Sequence, residues 1–315
     1  MRFLSDLREG DMVSETYLCK TKNVQKTKMG KSYYSLLLQD KSGTVDAKVW
    51  ELTNAIEHFE QMDYIHVEGQ VTSFQGALQM NIRRIRVAQE GEFDPADYMP
   101  TSKYDIEEMY RELMGYLSTV QEPHLKRLID GYFVDNKEFI RVFKKHSAAK
   151  SVHHGFIGGL LEHTLSVVRF CNYMAGAYTI LNRDLLLTAA AFHDIGKVWE
   201  ISDFPENDYT DDGQLLGHIF LGAELIGNAV RAIPGFPKKL ASELRHCILA
   251  HHGELEYGSP KKPAIAEALA LNFADSADAK MQTLLEIFES GENQNNNDWL
   301  GYNRLFESNI RRTSI

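Results

Sequence analysis

Two different spacings of apolar residues divide the chain. Over residues 11–90 apolar and polar positions alternate in short runs, the period-two pattern of half-buried strands. Such runs occupy residues 12–22, 32–39 and 44–50, and Asp40-Lys-Ser-Gly43 between the last two is a hairpin-type turn. Residues 51–59 read as a short helix, and the runs 64–74 and 77–87 pair across Gln75-Gly76. Residues 89–103 then break the pattern with Pro95, Pro100 and an acidic run. Beyond them the period becomes helical, over 106–119, 123–133, 137–146, 159–173, 184–193, 217–232, 238–251 and 264–289. Asn293-Gln-Asn-Asn-Asn297 interrupts it, and the tail 299–315 mixes aromatics with Arg304, Arg311 and Arg312.

Five strands with a helix between the third and fourth is the order of an OB-fold, a partly open Greek-key barrel. An SH3-like barrel is the alternative. The expected architecture is therefore multidomain: a small all-β OB-fold barrel over 1–90, a linker over 91–104, and an all-α helical bundle over 105–315.

Composition bounds this picture. A hydrophobic fraction of 43% and a charged fraction of 25% are ordinary for a globular chain. No apolar run reaches the roughly 18 residues of a membrane span, and residues 1–10 lack a secretory signal pattern, so a cytoplasmic protein without membrane contact is expected. Cys19, Cys171 and Cys247 are odd in number, far apart and outside any CxxC pattern, as befits reduced thiols.

The net charge of −10 argues against nucleic acid only until its distribution is read. Residues 11–90 hold ten basic and ten acidic side chains, and Lys20, Lys22, Lys26, Lys28 and Lys31 crowd a stretch without an acid. A second basic cluster is Arg141, Lys144, Lys145 and Lys150. OB-folds hold single strands by stacking bases on aromatics in a basic groove. The candidates here are the five lysines, placed in the loop between the first two strands, with Tyr33, Tyr34 and Phe74. Alternation puts one of Tyr33 and Tyr34 inward, and Trp50 reads as core.

The helical half carries the chemistry. Nine of the twelve histidines fall between His146 and His252. His163 lies in an apolar helix, His193-Asp194 closes an Ala-rich one, and His218, His251, His252 and Asp275 follow. Imidazoles and carboxylates without thiolates suit divalent metals that do hydrolytic chemistry. Seven such groups exceed what one metal needs, so a two-metal hydrolase centre is expected. Mn²⁺, Co²⁺, Fe²⁺ and Zn²⁺ suit this shell better than Mg²⁺. Lys197 is a candidate for stabilising transition-state charge, and His153, with His154, for contacting the phosphate or protonating the leaving oxygen.

The ordered set H…HD…H…HH…D resembles the HD-domain superfamily of metal-dependent phosphohydrolases, over about residues 145–290. Joined to an OB-fold, it resembles the YhaM family of bacterial 3′–5′ exoribonucleases over essentially the whole chain. His153-His-Gly-Phe-Ile-Gly-Gly-Leu-Leu-Glu-His163 and Asp97-Tyr-Met-Pro-Thr-Ser102 carry the likeness locally. The resemblance implies one metal on His163, His193, Asp194 and Asp275. It implies a second on His218 with His251, His252 or both, bridged by Asp194, and Mn²⁺ as activator. The implied activity is 3′–5′ hydrolysis of single-stranded RNA, with single-stranded DNA as a further candidate, to nucleoside 5′-monophosphates by a bridging hydroxide. Two alternatives stand beside it: a phosphodiesterase or nucleotidase for a small nucleotide or cyclic dinucleotide, and a non-catalytic nucleic-acid-binding protein. Residues 105–138 and the tail are candidate surfaces for a homo-oligomer.

Overall fold

A computed structural model of the chain describes residues 1–27, 29–74, 76–94, 97–150, 154–290 and 298–314. The chain divides into two units, one of residues 1–101 with 203–206 and one of residues 102–202 with 207–315.

The first unit is a closed five-stranded barrel. Its strands are β1 (Met12–Lys26), β2 (Ser32–Asp40), β3 (Gly43–Val49), β4 (Tyr64–Phe74) and β5 (Ala77–Val87), in the order β1-β2-β3-β5-β4. β1 serves two neighbours: residues 12–18 pair with β4 and residues 18–26 with β2, with a register shift between Cys19 and Thr21. The β3–β5 pairing is parallel and the other strand pairs are antiparallel, the arrangement of an OB-fold. Inward residues such as Tyr17, Leu36, Leu38, Ile65, Val67 and Met80 fill the barrel.

Three expectations are corrected here. Residues 51–59 form no helix. The backbone there makes a turn, with Ile56 N donating to Thr53 O, and bridges β5 at Ile56, with Ile85 N donating to Ala55 O and Glu57 N to Ile85 O, all at 3.0 Å. A segment this short gains little from helix formation, whereas this pairing satisfies its backbone and buries Phe59. β1 extends to Lys26, so Lys20, Lys22 and Lys26 lie on a strand rather than in a loop. Trp50 is 43% exposed, not core.

The second unit is helical: α1 (Ile106–Leu117), α2 (Pro123–Phe133), α3 (Lys137–Lys145), α4 (Gly159–Ala177), α5 (Arg183–Phe192), α6 (Lys197–Glu200), α7 (Asp211–Ala232), α8 (Lys238–Ala250) and α9 (Ala266–Ser290). A short hairpin, β6 (Trp299–Asn303) and β7 (Ser308–Arg311), follows where the sequence shows only an irregular tail. α4 and α5 form the centre, with Leu160, Leu161, Val168, Leu186 and Ala190 fully enclosed. Cys171 and Cys247 are free thiols buried in the same core, and Cys19 is a free buried thiol of the barrel. Among the described residues no helix is long and apolar enough to cross a membrane.

Candidate metal centre

Five elements converge on the His193-Asp194 pair. α5 ends at Phe192 with His193 as its C-cap, and Asp194 opens the turn into α6. This turn lies directly against α7, because a Cβ on Gly196 would stand 2.0 Å from the His218 carbonyl oxygen. Only glycine permits that approach. α7 is kinked at Gly217, one residue before His218. α8 stops at Ala250, and the chain turns away at Gly253 with φ of 81°. That ending lets His251 and His252 serve one site. His163 comes from α4 and Asp275 from α9.

The ring nitrogens are committed in one sense. Nδ1 of His193 donates to Ala190 O at 2.8 Å, that of His251 to Ile248 O at 2.7 Å, and that of His252 to Tyr257 O at 2.8 Å. A carbonyl can only accept, so Nδ1 carries the proton and Nε2 its lone pair. Nδ1 of His163 faces Asp278 Oδ2 at 2.7 Å, and that of His218 faces Glu200 Oε1 at 2.9 Å. This is the outer support that metal-binding histidines commonly have.

The Nε2 atoms point at one another and at carboxylates. His163 Nε2 lies 3.1 Å from His193 Nε2, and 3.3 Å from both Asp194 Oδ2 and Asp275 Oδ1. His193 Nε2 lies 3.5 Å from Asp194 Oδ2 and 3.9 Å from Asp275 Oδ1. On the other side, Asp194 Oδ1 is 3.5 Å from His218 Nε2 and 3.6 Å from His251 Nε2. His218, His251 and His252 present ligand atoms within 4.8 Å of one another. Ligands about 2.1 Å from a shared cation sit about 3.0–3.4 Å apart, close to these separations. Oδ1 of Asp194 and Nε2 of His218 and His251 are buried without a hydrogen-bond partner. The donor set therefore suits divalent metal, with a His cluster on either side of Asp194.

The electrostatics agree. Burial works against a charged His163, yet the carboxylates of Asp194, Asp275 and Asp278 hold its pKa well above the ordinary histidine range. Burial lowers His193, and burial with the neighbouring His252 and His193 holds His251 well below that range. Burial also opposes the Asp194 carboxylate, but Lys197, His193 and His163 hold its pKa well below the usual value. Lys197 Nζ stands 2.6 Å from Asp194 Oδ2. Lys197 lines a cavity of about 550 Å³ that also reaches His163, His252 and Asp275.

All seven predicted metal-binding residues thus meet at one centre. Asp278 and Glu200 escape a reading of the sequence. Asp278 lies one helical turn beyond Asp275 and shares its face, the one signal available. His154 is buried and turns Nε2 to Asp278 Oδ2 at 3.0 Å, its Nδ1 lacking a hydrogen-bond partner. His153 lies outside the described residues.

Comparison with known proteins adds the decisive observation. The chain is 34% identical over 288 residues to the 3′-5′ exoribonuclease YhaM of Geobacillus sp. (strain WCH70), covering 90% of this chain and 88% of that protein. This chain belongs to the YhaM family. The family model of the HD domain matches residues 160–280, which contain every candidate ligand from His163 to Asp275. That of the OB-fold nucleic acid binding domain matches residues 21–88. Among solved structures, the second OB-fold domain of replication protein A from Methanococcus maripaludis aligns at 18% identity and a TM-score of 0.24, covering 29% of this chain and 96% of that one. The p204 HINb domain aligns at 21% identity and a TM-score of 0.24, covering 28% and 47%. With the family, the chain is placed among metal-using hydrolases.

On the barrel the predicted nucleic-acid contacts divide. Tyr33 stacks on Trp50 with ring centroids 4.6 Å apart, and Trp50 Nε1 donates to Asn81 Oδ1 at 2.9 Å. The half-buried Tyr33 thus pairs, at a 30° tilt, with the exposed tryptophan that reads as core in the sequence. Tyr34 packs against the barrel core, edge-on to Phe59 at 6.0 Å. Lys22 does not project freely either: it caps the Phe59 carbonyl and lies over the Tyr34 and Phe59 rings at 5.0 and 4.4 Å. Lys20, Lys26 and Lys31 are exposed, and Phe74 is 60% exposed at the end of β4. Lys28 lies outside the described residues.

Proposed function

We propose that this chain is a 3′–5′ exoribonuclease that uses two divalent cations, Mn²⁺ foremost, to release nucleoside 5′-monophosphates from single-stranded RNA. One observation carries the reading. Nε2 of His218 and Nε2 of His251, each with its Nδ1 committed to an acceptor, lie buried and unpartnered 3.5 and 3.6 Å from the equally unpartnered Oδ1 of Asp194. Three buried polar atoms that face one another with no hydrogen-bond partner call for a positive charge between them.

In this reading His163, His193, Asp194 and Asp275 hold one cation, and His218, His251 and His252 share the second with Asp194. Bound there, the cations supply a water acidic enough to attack at neutral pH and compensate charge on the phosphoryl oxygens. The protein supplies the rest. Asp278 and Glu200 fix the orientations of His163 and His218. Lys197, which lines the cavity and neutralises Asp194, is the ammonium within reach of a phosphoryl oxygen placed there. The barrel holds the strand, through Tyr33 and Trp50 as a stacking platform and through Lys20, Lys26 and Lys31 as phosphate contacts.

The test is hydrolysis of a labelled RNA oligomer with a 3′-hydroxyl, with matched DNA alongside, by metal-depleted protein resupplied with Mn²⁺. Mononucleotides should leave from the 3′ end, and Asp194→Ala should lose activity about a thousand-fold or more. Undiminished turnover by that variant would sink the mechanism. Turnover of dinucleotides alone would point instead to a small-substrate phosphodiesterase.

A further inference from the structure

The cavity over the metal centre is larger than hydrolysis requires. Its volume is about 550 Å³, whereas a phosphate and two cations displace only a few water volumes of about 30 Å³ each. The remaining space has an apolar boundary made by Ala148, Ala149, Tyr257, Ala279 and Leu305. These come from the segment after α3, the 3-10 turn Leu255–Tyr257, α9, and the turn between β6 and β7. Tyr257 is 71% exposed and Leu305 52%. Scattered exposed apolar side chains are ordinary, but two large ones lining a single cavity beside a phosphate-handling centre call for an occupant.

Both positions are held in place. Tyr257 uses its carbonyl to fix His252 Nδ1, so its ring sits on the same turn as a candidate ligand. Leu305 N donates to Asn303 Oδ1 at 2.9 Å within the hairpin turn. The hairpin is fastened to α9 by Arg312, which donates to the Phe288 carbonyl and lies over that ring at 5.9 Å. Arg311 closes it from within, donating to Asp298 Oδ2 at 2.8 Å and covering the Trp299 ring. These two tail arginines therefore anchor the element that presents Leu305.

We propose that Tyr257 and Leu305 form a seat for the nucleobase of the 3′-terminal nucleotide, which makes the C-terminal hairpin part of the substrate site. The inference rests on the nuclease reading above. An end group whose phosphate sits at the metals carries its base a few ångströms away, and a neutral planar ring is what an apolar wall accepts. Such a wall meets the face of a base rather than its edge, so the seat tolerates all four bases.

The test compares two RNA oligomers of one length, one ordinary and one with an abasic 3′-terminal residue. Wild type, Tyr257→Ala, Leu305→Ala and the conservative Tyr257→Phe and Leu305→Met are assayed for KM and kcat with Mn²⁺, and for equilibrium binding in EDTA. The alanine variants should weaken binding and raise KM about tenfold for the ordinary oligomer, and at most about twofold for the abasic one. The Phe and Met variants should retain most of the wild-type preference for the ordinary end. Equal losses on both oligomers, or none on either, would overturn the seat. A wild-type chain that binds both but cleaves neither would defeat the nuclease reading, and the binding comparison would still decide the seat.

Discussion

Asp194 is 2% exposed; Lys197 pairs with its Oδ2 at 2.6 Å, whereas its Oδ1 has no hydrogen-bond donor and faces His218 and His251. The ammonium offsets one side of this buried carboxylate, and a cation against Oδ1 would offset the other. The sequence does not reveal this; the orphaned Oδ1 does. Asp278 is the reverse case, a residue that touches no predicted cation but fixes the His163 ring. We expect Asp278→Asn to weaken Mn²⁺ affinity by about 10- to 100-fold, read by metal titration of activity, with kcat largely restored at saturating Mn²⁺. An unchanged metal titration would show that His163 is oriented by something else. The ligand types are legible because imidazoles and carboxylates in apolar helices are conspicuous. Their supports are not, since an acid one turn along a helix looks the same whether it faces solvent or a histidine.

Among the elements, periodicity locates the five strands and the helices that carry the ligands, because each buries one face and the spacing of apolar residues follows. It fails where a tertiary partner decides conformation. Residues 51–59 have apolar spacing compatible with a helix, but β5 offers their backbone a pairing. β1 runs on to Lys26 because β2 continues beside it, which moves three lysines from a loop onto a strand and occupies one of them. The approach of the α5–α6 turn to α7 depends on Gly196 in the same way. Gly196→Ala should displace α7 and destabilise the protein by about 2–3 kcal/mol. Bound metal should fall from about two ions per chain toward one, because His218 moves while the His163 side stays intact. Elemental analysis and urea denaturation check this together; two retained ions would mean that the contact is yielding.

For the molecule as a whole, the candidate metal centre draws on α4, the α5–α6 turn, α7, α8 and α9, so cation binding there is expected to stabilise the helical unit. Saturating Mn²⁺ at about 100 times its Kd should raise Tm by roughly 5–10 °C, and Asp194→Ala should abolish most of that shift in a calorimetric scan. The barrel makes a separate contribution. Replacing Lys20, Lys26 and Lys31 with Ala should weaken RNA binding and flatten the slope of log K against log salt by about 2. A slope that stays put would remove these lysines from the strand's path.

The amino-acid order alone specifies the two architectures, their succession along the chain and the identity of the seven ligand candidates. Each of those follows from local periodicity or from residue chemistry, which a linear string records. Packing in three dimensions is what divides the two oxygens of Asp194 between two clusters and brings His251 and His252 to the same side. It also takes Trp50 out of the core to stack on Tyr33, and folds the tail into a hairpin at the mouth of the site. Those outcomes depend on atoms from distant segments meeting within a few ångströms, and no spacing along one chain encodes such distances.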